Sequence, residues 1–235
     1  MDILFSEGGA QFLLRWSHLV FGITWIGILY YFNLVNVNFL KALDAPTKSK
    51  VIPELMPRAL WYFRWGAVGT WLTGFIYFAW ILVAEKGSHM ALGLWLAIWL
   101  VTWAIIFGLL QPISGVLNKG PVLGVIMAVL VTVMCVALIK MAGSGFPTNR
   151  SASIGIGGGI GTIMLLNVWG IIWPHQKRII AWTKEAAEKG TPMPPEAAKL
   201  ARRAFLASRT NAWLSLPMLW FMGMASHLPL FAGAP

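Results

Sequence analysis

The chain has 235 residues, of which 58% are apolar and only 11% are charged, and its formal net charge is +10. Soluble domains carry about a quarter charged residues, so this composition excludes an ordinary soluble globule. Apolar runs of roughly 18 residues or more recur along the chain, which is the length of a membrane-spanning helix, and their continuity excludes the alternating strands of a closed barrel.

The ends and the cysteine content exclude further classes. Asp2 and Glu7 precede the first apolar run where a signal peptide would be basic, so we expect this run to be a retained helix. Cys135 is the only cysteine, which excludes an internal disulfide, a covalently attached c-type haem and a cysteine-based zinc or iron–sulfur site. We therefore expect a single helical membrane domain over residues 1–235.

Six membrane-spanning helices are predicted, which makes the fold class an all-α polytopic membrane protein. Proline and glycine clusters punctuate the ends of the apolar runs. A cytoplasmic loop is predicted over residues 175–211, and within it residues 196–208 have the pattern of a short amphipathic helix that lies at the headgroups. The six spans cover about residues 12–39, 59–84, 90–110, 122–141, 154–173 and 212–231.

The basic residues predict the orientation. Fourteen of the eighteen follow helices one, three and five, so the positive-inside rule places these loops in the cytoplasm and both termini outside. Topology therefore accounts for the net charge, and we expect membrane lipid and no nucleic acid as a partner. The fourteen are Lys41, Lys48, Lys50, Arg58, Arg64, Lys119, Lys177, Arg178, Lys184, Lys189, Lys199, Arg202, Arg203 and Arg209.

Two repeated patterns favour packing over chemistry. The run Gly155–Gly161 looks like a dinucleotide loop, but no strand precedes it and it lies in an apolar span; small residues four apart let helices approach closely. Trp95, Trp99 and Trp103 form one stripe on helix three, which we expect to face lipid or another subunit, with stacking on a macrocycle as the alternative. Other tryptophans near helix ends, as interface anchors are, are Trp16, Trp61, Trp80, Trp173 and Trp213.

Two histidines stand inside predicted spans, where ionisable groups are costly and therefore functional candidates. His18 lies roughly 10 Å beyond the start of helix one, and His227 lies about 6 Å before the end of helix six. Because helix one runs inward and helix six runs outward, both histidines are expected in the outer leaflet at similar depth.

The neighbours of these histidines suggest a flat slot. Gly22 and Gly223 stand four residues away, on the same helix faces and one turn deeper. Two imidazoles above such a gap predict axial ligation of haem b, with Arg15 binding a propionate. His89 is a candidate third ligand or cap.

Three alternatives to two histidine ligands of haem stay open. Met222 or Met224 is an alternative axial ligand, and copper held by His and Met is a rival to haem. A histidine that only hydrogen-bonds another helix is the structural alternative.

The same segments resemble a known family. In bacterial membrane-bound urate oxidases a helical membrane domain is joined to a C-terminal cytochrome c. The first-helix histidine pattern also resembles bacterial protoporphyrinogen oxidases and copper-resistance membrane proteins. The matching segments are Arg15–His18 and Gly22–Gly27, Trp61–Trp65 and Thr70–Gly74, Gly161–Met164 with Asn167-Val168, and Leu216-Pro217 with Ser226-His227.

The resemblance implies a multi-pass protein of the bacterial inner membrane, here without the cytochrome c domain. Histidines often stand in that family where this sequence has Trp61 and Thr210, and an acid where it has Gly66. These departures favour haem-type electron transfer over urate hydroxylation itself. The expected function is a haem b subunit that passes electrons to an external c-type cytochrome or other redox subunit, in a complex or homo-oligomer. Urate or purine oxidation and a non-redox accessory role are the alternatives.

Overall fold

The computed structural model describes residues 6–85, 88–111, 115–142 and 145–231, and the regular elements in these ranges are all helical. This confirms the predicted all-α class. Two π-helical turns, Tyr31–Asn36 and Val168–Ile172, join consecutive α-helices into longer rods, and a 3₁₀ turn covers Gly115–Asn118. The α-helices are α1 (Glu7–Tyr30), α2 (Val37–Ala42), α3 (Ala45–Ala84), α4 (His89–Leu109), α5 (Gly120–Ala142), α6 (Asn149–Asn167), α7 (Trp173–Lys189) and α8 (Ala197–Met224).

Five rods within the described ranges are long and apolar enough to cross a membrane: Glu7–Ala42, Ala45–Ala84, His89–Leu109, Gly120–Met141 and Asn149–Lys189. Three of them have 36 to 41 residues, or about 54–62 Å, and so exceed a hydrocarbon core of about 30 Å. The predicted sixth span, about residues 212–231, is helical only as far as Met224, where α8 ends, so His227 lies in the turn after the helix; the first half of α8 is basic. The number of spans and their orientation therefore stay predictions.

The predicted start of helix two differs from the structure. Helix two begins at Ala45 instead of Ala59, because Pro53 and Pro57 are accommodated inside α3 while Met56 and Leu60 keep its buried face continuous. Each proline removes one backbone donor, which does not by itself end a helix in an apolar bundle.

The predicted loop 175–211 is largely helical. It contains α7 and the first half of α8, and the segment predicted as a short separate helix over residues 196–208 continues into the last helix without a break. Its polarity reflects ion pairs one turn apart on an exposed helix: Lys184 lies 3.8 Å from Glu188, and Lys189 lies 3.1 Å from Glu185.

Glycines set the helix packing, as predicted for the run in α6. A Cβ at Gly159 would overlap the indole of Trp99, and the indole Nε1 of Trp95 donates to the Gly155 carbonyl at 2.6 Å. The tryptophan stripe therefore faces α6, with Trp99 fully buried. The expectation that this stripe faces lipid or a second subunit is wrong, because the glycine face of α6 offers space for flat indoles inside the bundle.

A buried amide pair joins α6 to α8. Nδ2 of Asn167 donates to Oδ1 of Asn211 at 2.8 Å, and Nδ2 of Asn211 donates to the Met164 carbonyl at 2.9 Å. Both side chains are fully buried, and polar side chains of this kind join helices where water is absent.

Replacing Asn211 by leucine should lower stability by about 1–3 kcal/mol, because the Asn167 amide is left buried without its partner. The double change Asn167→Leu with Asn211→Leu should cost less than the sum of the two single changes. Thermal unfolding of the purified protein in one detergent tests this by a double-mutant cycle. Additive losses would show that the two amides are not coupled.

Candidate functional site

The main cavity lies inside the bundle, between α1, α3, α6 and α8, and has a volume of about 810 Å³. Its walls are mostly apolar and aromatic, which is typical of a cofactor or ligand site. The polar and charged side chains in its wall are the candidates for ligand recognition. They are Arg15, His18, Tyr30, Thr70, Trp25, Trp71, Tyr77, Trp95, Arg150 and Ser226.

His18 is held in one tautomer. Its Nδ1 lies 2.8 Å from the backbone carbonyl oxygen of Thr70. A carbonyl oxygen only accepts hydrogen bonds, so Nδ1 carries the proton and Nε2 keeps its lone pair. This hydrogen bond crosses from α1 to α3 and fixes the ring, which is how proteins orient a histidine that ligates a metal.

Gly74 makes this approach feasible. A Cβ at position 74 would lie 2.7 Å from both Cε1 and Nδ1 of His18, which is closer than such atoms approach in folded proteins. The imidazole can therefore lie against α3 only because position 74 has no side chain. Gly22, the glycine predicted beside His18, also lines the cavity, and a Cβ there would meet only the Thr70 methyl at 3.8 Å.

The cavity is cationic at one end. Arg15 precedes His18 by one turn on α1, and Arg150 lies in the first turn of α6. Arg150 donates to the Tyr77 hydroxyl and its guanidinium lies 5.5 Å from the centre of that ring. No acidic residue lines the cavity within the described ranges, so this end is suited to the carboxylates of a bound molecule.

One indole in the wall has no partner. Trp25 is 1% exposed, and its Nε1 makes no hydrogen bond to any described residue. By contrast, the indole nitrogens of Trp71 and Trp95 donate to Thr162 and Gly155. Buried donors are almost always paired, so the N–H of Trp25 is an exception among the buried polar atoms near this cavity.

The structure brings together only part of the predicted site. His18, Arg15 and Gly22 line the cavity. His227 and Gly223 are exposed and are absent from its wall, although Ala225 and Ser226 beside them take part in it. Ligation by His227 stays a prediction.

The turn that carries His227 is nevertheless fixed at the same end of the bundle. Oδ1 of Asn149, at the start of α6, accepts from the Leu230 N–H at 2.9 Å, and Nδ2 of Asn149 donates to the Leu228 carbonyl at 3.2 Å. Met222 does line the cavity, so the alternative of a methionine ligand has a side chain in place. His89 is exposed at the first residue of α4 and also lies outside the wall.

Sequence reasoning missed Thr70, Gly74, Trp25 and Arg150 as members of the site. Thr70 acts through its backbone carbonyl, which no residue type reveals. Gly74 follows Thr70 by one helical turn, and that spacing was a usable signal for close helix approach. Arg150 is one of the four basic residues outside the predicted cytoplasmic set, and its position in the sequence gives no further signal of a role in binding.

These helices and this cavity define the class: a polytopic helical membrane protein with a cavity between its helices. The model of the urate oxidase N-terminal family matches residues 42–235, and the chain belongs to this family. The match includes the cavity walls from α3, α6 and α8 and begins after α1, which carries His18. No curated protein and no solved structure matches the chain.

Proposed function

We propose that the cavity binds haem b through Nε2 of His18, and that the protein is an electron-transfer subunit serving an external c-type cytochrome at the bacterial inner membrane. The observation that carries this proposal is His18 itself. Its Nδ1 is committed to the Thr70 carbonyl at 2.8 Å, which leaves Nε2 as a fixed, unprotonated ligand in an apolar cavity.

The rest of the cavity fits such a group. Its volume of about 810 Å³ and its aromatic walls suit a large flat ring. Arg15 and Arg150 would bind the propionates. A bound haem supplies one-electron transfer, with a potential set by its axial ligands. Met222 and His227 are the two side chains that would complete the ligation of the haem iron.

Copper is the rival occupant. His18, Met218 and Met222 line the same cavity, and thioether with imidazole suits Cu(I). Among the described residues no three histidine, cysteine, aspartate or glutamate side chains gather at one point. Elemental analysis of the purified protein separates the two proposals directly, because one predicts iron and the other copper.

Replacing Gly74 by valine should displace His18 from α3 and reduce the haem content severalfold, because even the Cβ would lie 2.7 Å from the imidazole. Gly93→Val on α4 is the matched control, since a Cβ at Gly93 meets nothing within 4 Å. The haem-to-protein ratio of both variants is the measurement. Equal ratios would show that the contact of His18 with α3 is not needed for binding.

Electron transfer is tested by mixing the chemically reduced protein with an oxidised c-type cytochrome in the absence of oxygen. We expect rapid reduction of the cytochrome, and a His18→Ala preparation should be inactive. A reduced protein that transfers no electrons to any c-type cytochrome would contradict the proposed partner while leaving haem binding intact.

Urate oxidation is the second candidate function, favoured by the family match over residues 42–235. Urate is an anion at neutral pH, and the cavity has two arginines and no carboxylate in its described wall. Adding urate to the oxidised protein without oxygen should then reduce the bound haem. Failure of urate and other purines to do so would dismiss the enzymatic role.

A further inference from the structure

We propose that a second cavity, at the other end of the bundle, binds a small neutral ring with adjacent hydrogen-bond donor and acceptor atoms, the chemistry of a cyclic amide or imide. This cavity has a volume of about 280 Å³ and lies where the first π-helical turn meets α3, α7 and α8. Asn36 lines it and follows His18 by eighteen residues, which is about 27 Å along the helix, so the two cavities are separate.

Asn36 is the main observation. The residue is 4% exposed, its Oδ1 makes no hydrogen bond to any described residue, and its Nδ2 has only the Met56 sulfur at 3.7 Å. Exchanging the oxygen and nitrogen of the amide would leave the other polar atom without an adequate partner. A buried primary amide in this state costs stability unless a ligand or water completes its hydrogen bonds.

Two further polar groups in the same wall are free to bind a ligand. The Gln176 side chain, on α7, makes no hydrogen bond within the described residues. The Ser208 hydroxyl, on α8, accepts from Nδ2 of Asn33 at 2.9 Å, which leaves its own hydrogen free to donate. Three elements therefore contribute amide and hydroxyl side chains to the wall of one space.

The remaining wall selects the kind of ligand. No charged side chain lines the cavity within the described ranges, so an anion or a cation would lose its hydration without compensation. Phe32 and Phe205 provide aromatic surface for a flat ring. A primary amide offers a donor beside an acceptor, and so pairs in a bidentate way with a ring that has the complementary edge, as Asn and Gln do with adenine.

The backbone around this cavity is also unusual. The wall includes Asn33 and Asn36 from the first π-helical turn and Ile172 from the second. Such turns inside α-helices are frequent at functional sites, because the extra residue redirects the side chains that follow. Both interruptions of the long rods therefore border the same space.

Uracil and hypoxanthine are suitable probes, measured by equilibrium dialysis against the full chain in lipid nanodiscs. We expect saturable binding of at least one of them. 1,3-Dimethyluracil lacks the N–H donor and orotate carries a charge, so both should bind at least tenfold more weakly. The proposal would be overturned if the probes bound no more tightly than 1,3-dimethyluracil and orotate, or if neither probe bound.

Asn36→Leu tests the site itself, because leucine keeps the side-chain size and removes both polar atoms. It should weaken probe binding about tenfold or more while thermal stability stays the same or rises, since an unpaired buried amide is lost. Asn38→Leu is the control, as Asn38 is exposed two residues later. Should Asn36→Leu fail to fold, Gln176→Met takes its place, and unchanged binding in the folded variant would contradict the proposal.

Discussion

Replacing His18 by alanine should leave the purified protein nearly free of haem and abolish its b-type absorption band. The imidazole is the only histidine side chain that lines the main cavity in the described part of the chain. Its Nε2 is held ready because Nδ1 is bonded to the Thr70 carbonyl. Alanine removes the ligand and leaves no neighbouring group that can reach the same point with a lone pair on nitrogen.

His175→Ala is the matched control for this change. His175 lies in α7 and does not line the cavity, and its Nδ1 hydrogen-bonds the carbonyl of Ile171 in the preceding π-helical turn. Haem content, measured as haem per protein, should stay at the wild-type level in this variant. A His18→Ala protein that keeps a full complement of haem with an unchanged spectrum would contradict His18 as the ligand.

Two further variants distinguish which side chain would act as the second ligand of the haem iron. If Met222 is the ligand, Met222→Leu should shift the reduced band and lower the potential, whereas His227→Ala should leave both unchanged. If His227 is the ligand, the pattern reverses and the turn after α8 must fold over the cavity when haem binds. The exposed position of His227 and the place of Met222 in the wall favour the first pattern.

Replacing Gly159 by alanine should be strongly destabilising, because its Cβ would overlap the fully buried indole of Trp99. Overpacking of this kind typically costs about 1–3 kcal/mol, and here the indole is enclosed between α4 and α6, so we expect the upper end of that range. The measurement is the thermal unfolding midpoint in a single detergent.

A control and a rescue make this prediction specific. Gly93→Ala, on α4, adds a methyl group where nothing lies within 4 Å and should leave the midpoint unchanged. Trp99→Phe in the Gly159→Ala background should recover part of the loss, because the smaller ring vacates the overlapping space. A Gly159→Ala protein as stable as the wild type would show that α4 and α6 do not approach as closely as the structure indicates.

Hydropathy predicted most of the fold, because in a membrane the length of an apolar run sets the helix. Hydropathy failed where ion pairs or close helix packing determine the structure. In α7, exposed ion pairs such as Lys189 with Glu185 stabilise a polar helix that composition alone assigns to a loop. In α4, the period of four placed the tryptophans on one face, but the glycines of α6 decide which face is buried.

The candidate site was predictable only in part. His18 and Arg15 were predictable because they are ionisable residues in an apolar run, and both line the cavity. The bond from His18 to the Thr70 carbonyl depends on how α1 crosses α3, which no residue type encodes. The pairing with His227 rests on matched depth and on a glycine four residues from each histidine, and neither feature determines whether a side chain faces the bundle or its surface.

The most direct test of the account is a reduced-minus-oxidised optical spectrum of the purified protein, made with ample haem and combined with elemental analysis. The account predicts a b-type α-band together with iron in at least equimolar amount. A colourless preparation without iron would contradict haem binding at His18, and a copper-containing one would assign the cavity to its rival occupant.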